Sequence, residues 1–217
     1  MRDLLMIFVK FPEPGKVKTR LAKSVGNEGA ANIYRKLVAQ VAGQVVAQGT
    51  GEVEGDWAIW ILFDPPERQR EIRTWLDPLL GGAVDASVPQ VEGDLGVRLE
   101  AAFARGFEAG FRRIAAIGTD CVGFGEAEIR QCWRLLDETD VVFGPADDGG
   151  YYLIGMKREH QELFTKIPWS SPQTLEASQA AARAAGLSFA ELPTMADVDE
   201  IEQWEALCAS DPRWQQS

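Results

Sequence analysis

The sequence predicts an α/β fold: one doubly wound, mostly parallel sheet with helices on both faces. Short apolar segments alternate with segments of helical spacing along all 217 residues, which is typical of parallel strands joined by helices. The first strand, Leu4–Phe11, is almost continuously apolar, as expected for a strand that is covered on both faces. Charged motifs follow several strands. We expect a single domain over residues 1–217, without a repeat or linker.

The elements follow from local patterns, taken in chain order. Apolar residues spaced three and four apart over Ala30–Val45 predict the first helix, and Asp64-Pro65-Pro66 closes the second strand. Ser171 before Pro172 supplies a capping residue and a first-turn proline for a later helix. Strands are predicted over Leu4–Phe11, Trp57–Phe63, Ala83–Val88, Arg113–Ile117, Val141–Gly144, Tyr151–Met156 and Leu187–Leu192. Later helices are predicted over Glu67–Leu76, around Leu99–Phe107, and over Glu126–Leu136, Pro172–Ala185 and Glu200–Ala209.

Charge is distributed unevenly along the chain. The formal net charge is −11, but residues 1–25 hold six Lys or Arg against two acidic residues. A basic cluster directly after the first strand of an acidic protein indicates an anionic small molecule bound there, with a solvated basic loop as the alternative. The acidic balance argues against general binding of nucleic acid.

Apolar runs and cysteine content indicate the cellular compartment in which the protein is expected. No apolar run approaches the roughly 20 residues that span a bilayer, and Leu4–Val9 is too short for a signal peptide. The three cysteines, Cys121, Cys132 and Cys208, form no Cys-x-x-Cys pair, so reduced thiols are expected. These features predict a cytoplasmic protein without a membrane span.

Four polar motifs fall where strands are predicted to end, which is the edge at which doubly wound sheets bind ligands. They are Lys16–Arg20, Thr119-Asp120, Ala146–Gly150 and Asp197–Asp199. Cations suit phosphates, and carboxylates suit Mg²⁺ or Mn²⁺. Together the motifs predict a site for a metal-bound diphosphate, although any one carboxylate pair is more often a cap or a turn.

Competing motifs are absent or incomplete. No Gly-x-Gly-x-x-Gly follows the first strand, and Val17 replaces the Ser or Thr of a P-loop after Gly15-Lys16. The single histidine, His160, lies in a polar stretch away from any Gly-x-Ser-x-Gly elbow, so a surface position is expected for it. Cys121 has no evident activating histidine, which favours a buried thiol over a nucleophile.

Six blocks carry a resemblance that covers nearly the whole chain. They are Phe8–Ala22, Gly93–Leu99, Gly118–Cys121, Gly144–Gly155, Trp169–Ser171 and Asp197–Asp199. In this order they resemble a bacterial family of glycosyltransferase-like proteins. The family belongs to the nucleotide-diphospho-sugar transferases of glycosyltransferase-A fold, and the first and fourth blocks are long enough to be highly specific.

The resemblance implies a metal site and a diphosphate site. Asp120 would coordinate a divalent cation, Mg²⁺ or Mn²⁺, in the role of a D-x-D motif although it is a single carboxylate. Asp197, with Asp199 as second choice, would complete the metal site. The diphosphate would be neutralised by the basic residues Lys10, Lys16, Lys18 and Arg20.

The remaining assignments concern the nucleotide and the transferred group. Asp94, Arg98 and Thr119 would contact the nucleotide; a helix cap and a surface salt bridge are the alternatives for Asp94 and Arg98. The transferred group or acceptor would face Asp147, Asp148, Gly149, Gly150 and Tyr151. Tyr151 and Tyr152 alternate faces, so at most one of them points to the site.

Three functions share these residues. In the first, a hydroxyl acceptor attacks the anomeric carbon of a nucleotide-sugar and releases the nucleoside diphosphate, with a carboxylate such as Asp148 as base. In the second, a phosphorylated small molecule attacks the α-phosphorus of a nucleoside triphosphate. In the third, the protein binds a nucleotide without catalysis. The block Gly144–Gly155 favours the glycosyltransferase, while the base, the sugar and the acceptor stay undetermined.

Overall fold

A seven-stranded sheet forms the centre of the structure, a computed structural model that describes residues 2–46 and 57–215. The strands are β1 (Asp3–Lys10), β2 (Trp57–Asp64), β3 (Ala86–Pro89), β4 (Ile114–Ile117), β5 (Val141–Pro145), β6 (Tyr151–Met156) and β7 (Phe189–Glu191). The helices are α1 (Ala22–Val46), α2 (Gln69–Leu80), α3 (Leu95–Glu108), α4 (Glu126–Glu138), α5 (Thr174–Ala184) and α6 (Ile201–Ser210). Helix α1 is interrupted at Gly26, whose backbone is not helical.

The strand order is β3-β2-β1-β4-β6-β5-β7. Strand β6 runs antiparallel to β4 and β5, and the other neighbouring pairs are parallel. The predicted α/β fold with a mostly parallel, doubly wound sheet is therefore confirmed. One connection departs from the alternation of strands and helices, because β5 and β6 are joined by the short loop 146–150 and pair directly. That loop lies at the carboxyl end of β5, beside the carboxyl end of β4.

Alternate residues of the central strands pack on opposite faces of the sheet. Leu5, Ile7 and Val9 of β1 belong to the core that contains α1, α2 and α4. Leu4 and Met6 belong to the second core, which contains residues of α3 and α5. Because both faces are covered, β1 has to be apolar at almost every position, which is the pattern that identifies it in the sequence.

Helix α5 begins two residues later than the sequence predicts, and Ser171 is not its N-cap. The N-cap is Gln173, and the backbone carbonyl of Ser171 accepts a hydrogen bond from the backbone N of Thr174 at 3.1 Å. The Ser171 hydroxyl donates to the carbonyl oxygen of Pro168 at 2.7 Å. Residues 171–173 therefore form a turn before the helix.

The prediction of a surface position for His160 is wrong. The residue is only 7% exposed, and its Nδ1 lies 3.3 Å from Oε1 of Glu162. It immediately precedes a short helical turn whose Leu163 packs in the second core together with Phe164, and this packing draws the histidine inward.

None of the helices in the described part of the chain is long and apolar enough to cross a membrane. Cys121, Cys132 and Cys208 form no disulfide with one another; Cys121 and Cys132 are buried, and Cys208 is partly buried.

An ion network ties α4 to the sheet at the amino ends of β1 and β4. The Arg113 guanidinium donates from Nε to Oδ1 of Asp3 at 2.9 Å. It also donates from Nη1 to the carbonyl oxygen of Trp133 and to Oδ1 of Asp137, both at 2.7 Å. The side chain of Arg113 is 11% exposed, so these contacts replace the water it loses.

We predict that Arg113→Met lowers the free energy of unfolding by about 3 kcal/mol, because it leaves the buried Asp3 carboxylate with only the more distant Arg112, whose Nε lies 3.5 Å from Oδ1 of Asp3. Chemical denaturation at pH 7.5 measures this change. The matched control is Arg213→Met, which removes an exposed pair with Asp211 and is expected to leave stability unchanged. Equal effects in the two variants would contradict the role assigned to Arg113.

Candidate functional site

A cavity of about 650 Å³ opens at the carboxyl ends of the central strands. Its walls come from the end of β1 and the loop that follows, from the segment after β4, and from the start of α3. Motifs that are far apart in the sequence thus lie together at one edge of the sheet. The predicted site residues that line the cavity are Lys10, Lys16, Lys18, Arg20, Arg98, Thr119, Asp120 and Asp199.

The centre of the site is an ion triad of Lys18, Asp120 and Asp199. The Lys18 ammonium lies 2.6 Å from Oδ1 of Asp120 and 2.7 Å from Oδ1 of Asp199. The Lys18 side chain is 4% exposed, whereas that of Asp120 is 47% exposed. One lysine therefore joins the end of β4 to the C-terminal segment, and Asp120 still reaches the cavity.

Electrostatics keep this lysine charged. Burial lowers the pKa of Lys18, but the charges of Asp120 and Asp199 outweigh burial and raise the pKa above its usual 10.5. The resemblance implied a diphosphate contact for Lys18. In the structure its ammonium instead neutralises the two carboxylates, and its backbone takes the left-handed region at φ 46°.

The other cations of the first loop are available to a ligand. Within the described residues, Lys10 and Lys16 make no ion pair, and both are exposed. The Nη1 atom of Arg20 lies 3.9 Å from Oδ2 of Asp199, and the Arg20 side chain is 59% exposed. Three cations therefore surround the mouth of the cavity while the fourth is committed to carboxylates.

Asp197 is buried beside the triad. The backbone N of Val198 donates to the carbonyl oxygen of Asp120 at 3.2 Å, which places Asp197 and Asp199 next to the end of β4. Asp197 is 6% exposed, and its Oδ1 has no hydrogen-bond partner among the described residues. Burial, followed by the charges of Asp148 and Asp199, raises the pKa of Asp197 to about 6.

The loop 146–150 packs against the same C-terminal segment. The backbone N of Asp147 donates to the carbonyl oxygen of Met195 at 3.1 Å, and the backbone N of Gly150 donates to Oδ1 of Asp148 at 2.8 Å. Both aspartates are exposed. Gly149 has φ 84°, and a Cβ there would lie 2.1 Å from the carbonyl oxygen of Pro172, so only glycine fits. These residues sit beside Asp197, and none of them is among the cavity-lining residues.

Tyr151 is placed in the core. Its ring contacts Phe143 and Trp169, and its hydroxyl is buried. Its pKa is raised by burial. The neighbouring Tyr152 packs against Phe124 on the other face of the sheet. Neither tyrosine lines the cavity.

Asp94 and Arg98 hold the start of α3. Oδ1 of Asp94 accepts a hydrogen bond from the backbone N of Val97 at 3.0 Å, which makes Asp94 the N-cap of α3. Arg98 lines the cavity, but its guanidinium contacts Oε1 of Gln90 at 3.0 Å and Oδ2 of Asp64 at 3.1 Å. The pair thus fixes α3 against the ends of β2 and β3.

Several residues that line the cavity are not among the site residues predicted from the sequence. Tyr34 has the spacing of a core residue on α1, yet its hydroxyl accepts from the backbone N of Lys10 at 2.9 Å, and burial raises its pKa to about 12. Gln90 follows a short strand without a motif. Leu95 lines the cavity at 42% exposure. Ser170 belongs to a block that carried the resemblance, so a signal existed for it but no role.

Cys121 does not behave as a nucleophile. It is 4% exposed, and burial followed by the charge of the adjacent Asp120 raises the pKa of its thiol. A neutral, buried thiol is unreactive.

The carboxylates fit a divalent cation only when a ligand supplies further oxygens. In residues 2–46 and 57–215, no group of three or more His, Cys, Asp or Glu side chains is arranged to hold a metal. Mg²⁺ commonly uses one or two carboxylates together with substrate phosphates. The exposed Asp120 and the unpartnered Oδ1 of Asp197 match that donor chemistry. We therefore test the cation together with a phosphorylated ligand.

This strand order and strand-end cavity define the class: the chain has the nucleotide-diphospho-sugar transferase fold. A protein from Desulfovibrio desulfuricans G20, provisionally described as a nucleotide-diphospho-sugar transferase, is similar with 30% identity and a TM-score of 0.83, covering 97% of this chain and 88% of that one. The chain belongs to the family DUF2064, described as uncharacterized proteins conserved in bacteria, which matches residues 49–171.

More distant structures share the fold alone. A CMP:2-keto-3-deoxy-manno-octonic acid synthetase complexed with CTP is 11% identical, with a TM-score of 0.58, and 98% of this chain and 99% of that chain are covered. Rv0371c from Mycobacterium tuberculosis H37Rv, complexed with manganese, is 13% identical, with a TM-score of 0.56 and coverage of 97% and 100%. A search of curated proteins gives no match.

We predict that Lys18→Met lowers the free energy of unfolding by about 2 kcal/mol at pH 7.5, because two close carboxylates lose their shared cation. The raised pKa means that Lys18 contributes fully below pH 10.5 and loses its contribution as pH rises through the folded-state value. The control Lys16→Met removes an exposed charge and is expected to leave stability unchanged. Equal stability of the two variants would contradict the triad.

Asp197→Asn is predicted to stabilise the protein in EDTA by about 1–2 kcal/mol at pH 7.5, because it removes a poorly solvated charge. Since the folded-state pKa of about 6 exceeds the ordinary 3.8, wild type gains stability as pH falls through this interval. The advantage of the variant should therefore vanish near pH 4, as measured by urea denaturation.

Asp140→Asn is a control that is expected to change the free energy of unfolding in the opposite direction. The Ser188 hydroxyl and backbone N donate to Asp140 Oδ2, and the hydroxyl hydrogen bond is the main cause of its lowered pKa. This substitution should destabilise the protein at pH 7.5. A loss of stability in Asp197→Asn at the same pH would contradict the buried-charge interpretation.

Proposed function

We propose that the protein is a glycosyltransferase that uses a nucleotide-sugar donor, a divalent cation and a hydroxyl acceptor. The observation that carries this proposal is the charge layout of the cavity: three unengaged or weakly engaged cations face a partly exposed aspartate across one strand edge. A diphosphate with its cation needs both kinds of charge at once. The related D. desulfuricans protein, whose description names this class of donor, supports the same choice.

The diphosphate would lie against Lys10, Lys16 and Arg20. Each well-formed charge-assisted hydrogen bond contributes on the order of 1.5–3 kcal/mol, so three such contacts contribute roughly 4.5–9 kcal/mol, and only the upper end of that range reaches micromolar binding. Asp120 would hold the divalent cation with Asp197 and Asp199. Mg²⁺ or Mn²⁺ bound there supplies positive charge to the diphosphate as it leaves.

The residues of loop 146–150 would act on the acceptor. Asp148 is exposed and its carboxylate is oriented by the backbone N of Gly150. In the transfer, the acceptor oxygen forms a bond to the anomeric carbon as the bond from that carbon to the diphosphate breaks. Asp148, or Asp147 next to it, takes the acceptor proton, and the nucleoside diphosphate carries away the electron pair.

Nucleotidyl transfer is the second candidate. The basic loop would suit a triphosphate as well as a diphosphate, and the fold is shared with a synthetase whose structure contains CTP. In this reaction a phosphorylated acceptor would attack the α-phosphorus and release pyrophosphate. The acceptor for either reaction is a small molecule with a hydroxyl or phosphate group. The third candidate function is nucleotide binding without catalysis.

We predict that one base's nucleotide-sugars, with Mn²⁺, raise the melting temperature and are then slowly hydrolysed. Saturation at a hundred times the dissociation constant adds about 2.7 kcal/mol, a readily measured shift. The panel is UDP-glucose, GDP-mannose, ADP-glucose, dTDP-glucose and the common triphosphates. Asp120→Asn should lose the Mn²⁺-dependent part of the shift while keeping its fold by circular dichroism.

The same panel separates the candidates. A response to a triphosphate, with pyrophosphate released only when a phosphorylated partner is added, would establish nucleotidyl transfer. Binding without turnover of any ligand would leave a binding protein. An unchanged Mn²⁺-dependent shift in Asp120→Asn would overturn the metal assignment.

A further inference from the structure

The segment Trp169–Pro172 is held from two sides at the edge of the cavity. A Cβ at Gly96, in the first turn of α3, would lie 2.4 Å from Nε1 of Trp169. A Cβ at Gly149 would lie 2.1 Å from the carbonyl oxygen of Pro172. Both glycines are therefore required for close packing, and together they fix the segment between α3 and the loop 146–150.

Ser170 occupies the middle of this fixed segment. It is exposed, lines the cavity, and has φ 58°. In the described ranges, the non-glycine residues with positive φ are Lys18, Lys166 and Ser170. Two of these three line the cavity. A left-handed serine costs conformational energy, and such residues concentrate at functional sites.

The Ser170 hydroxyl is unengaged. It makes no hydrogen bond to any residue in 2–46 or 57–215. The next residue provides a contrast, because the Ser171 hydroxyl donates to the carbonyl oxygen of Pro168 and accepts from the backbone N of Gln173. One serine thus maintains the turn, and the other lines the cavity with a hydroxyl that no described residue engages.

The segment that contains Ser170 contacts the loop 146–150. It packs on Gly149, and the backbone N of Leu175 donates to the carbonyl oxygen of Gly149 at 3.0 Å. That glycine belongs to the loop of Asp147 and Asp148, whereas the phosphate-binding cations belong to the loop after β1. Under the proposed function the loop 146–150 faces the transferred group, so its contact with this segment associates Ser170 with the sugar rather than with the diphosphate.

We propose that the Ser170 hydroxyl hydrogen-bonds a hydroxyl of the sugar attached to the diphosphate and so helps to select the donor. The proposal rests on the proposed glycosyltransferase function. The left-handed backbone places Ser170 at the cavity wall, and the two close glycine contacts hold the residues on either side of it.

Two variants of Ser170 separate the hydroxyl from the backbone. Ser170→Ala removes the hydroxyl and retains the strained conformation, whereas Ser170→Gly removes both the hydroxyl and the strain. Isothermal titration with Mn²⁺ compares UDP-glucose, GDP-mannose and ADP-glucose with UDP, GDP and ADP. Both variants should bind the wild type's preferred nucleotide-sugar about three- to tenfold more weakly and bind the parent diphosphate like wild type. Ser170→Gly should also melt about 1–4 °C above Ser170→Ala.

Ser171→Ala is the control, expected to lower the melting temperature and to affect sugar-bearing and parent ligands alike. Unchanged nucleotide-sugar affinity in both Ser170 variants would overturn the contact. Equal losses for the nucleotide-sugar and its parent diphosphate would overturn its placement on the sugar side. A loss in Ser170→Ala alone would show a backbone effect and overturn the hydroxyl's role. Failure of wild type to bind any of these probes would overturn the proposed function and this assignment with it.

Discussion

The site depends on one interaction, the ammonium of Lys18 between Asp120 and Asp199. Its three members come from the loop after β1, the end of β4 and the segment before α6, which are far apart in the chain. Without a cation between them, two carboxylates so close together would repel, and the C-terminal segment would lose its electrostatic anchor. The backbone hydrogen bond from Val198 to Asp120 adds a second tie at the same place.

The anchored segment organises the rest of the strand edge. Residues 195–199 lie beside the loop 146–150, since Met195 pairs with Ala146 and accepts from Asp147. The loop in turn packs on the segment Trp169–Pro172 through Gly149, and that segment packs on α3 through Gly96. A chain of close contacts therefore leads from Lys18 to Ser170. Rigid packing of this kind is what a binding site needs in order to hold several polar groups in register.

Much of the fold can be predicted from local sequence patterns, whereas the contacts within the site cannot. The apolar run of β1 and the charged residues after β1 and β4 are visible in the sequence because period and composition are local properties. Lys18 forms ion pairs with residues far away in the sequence. Nothing near position 18 therefore distinguishes Lys18 from Lys16. The left-handed Ser170 and the buried His160 are also consequences of tertiary packing, which overrides local preference.

Stability alone does not explain a buried lysine with two aspartates. Apolar residues of similar volume often stabilise a protein as well as a buried ion pair does, because removing two charges from water offsets much of their mutual attraction. The triad does what apolar residues cannot: it keeps the carboxylate of Asp120 at the cavity while offsetting its repulsion from Asp199. In the proposed function, the exposed part of Asp120 is then available to a cation bound with the ligand, and the remaining cations of the loop are available to phosphate. Lys18 differs from the other three cations of the loop because two carboxylates of the site, Asp120 and Asp199, need a cation between them.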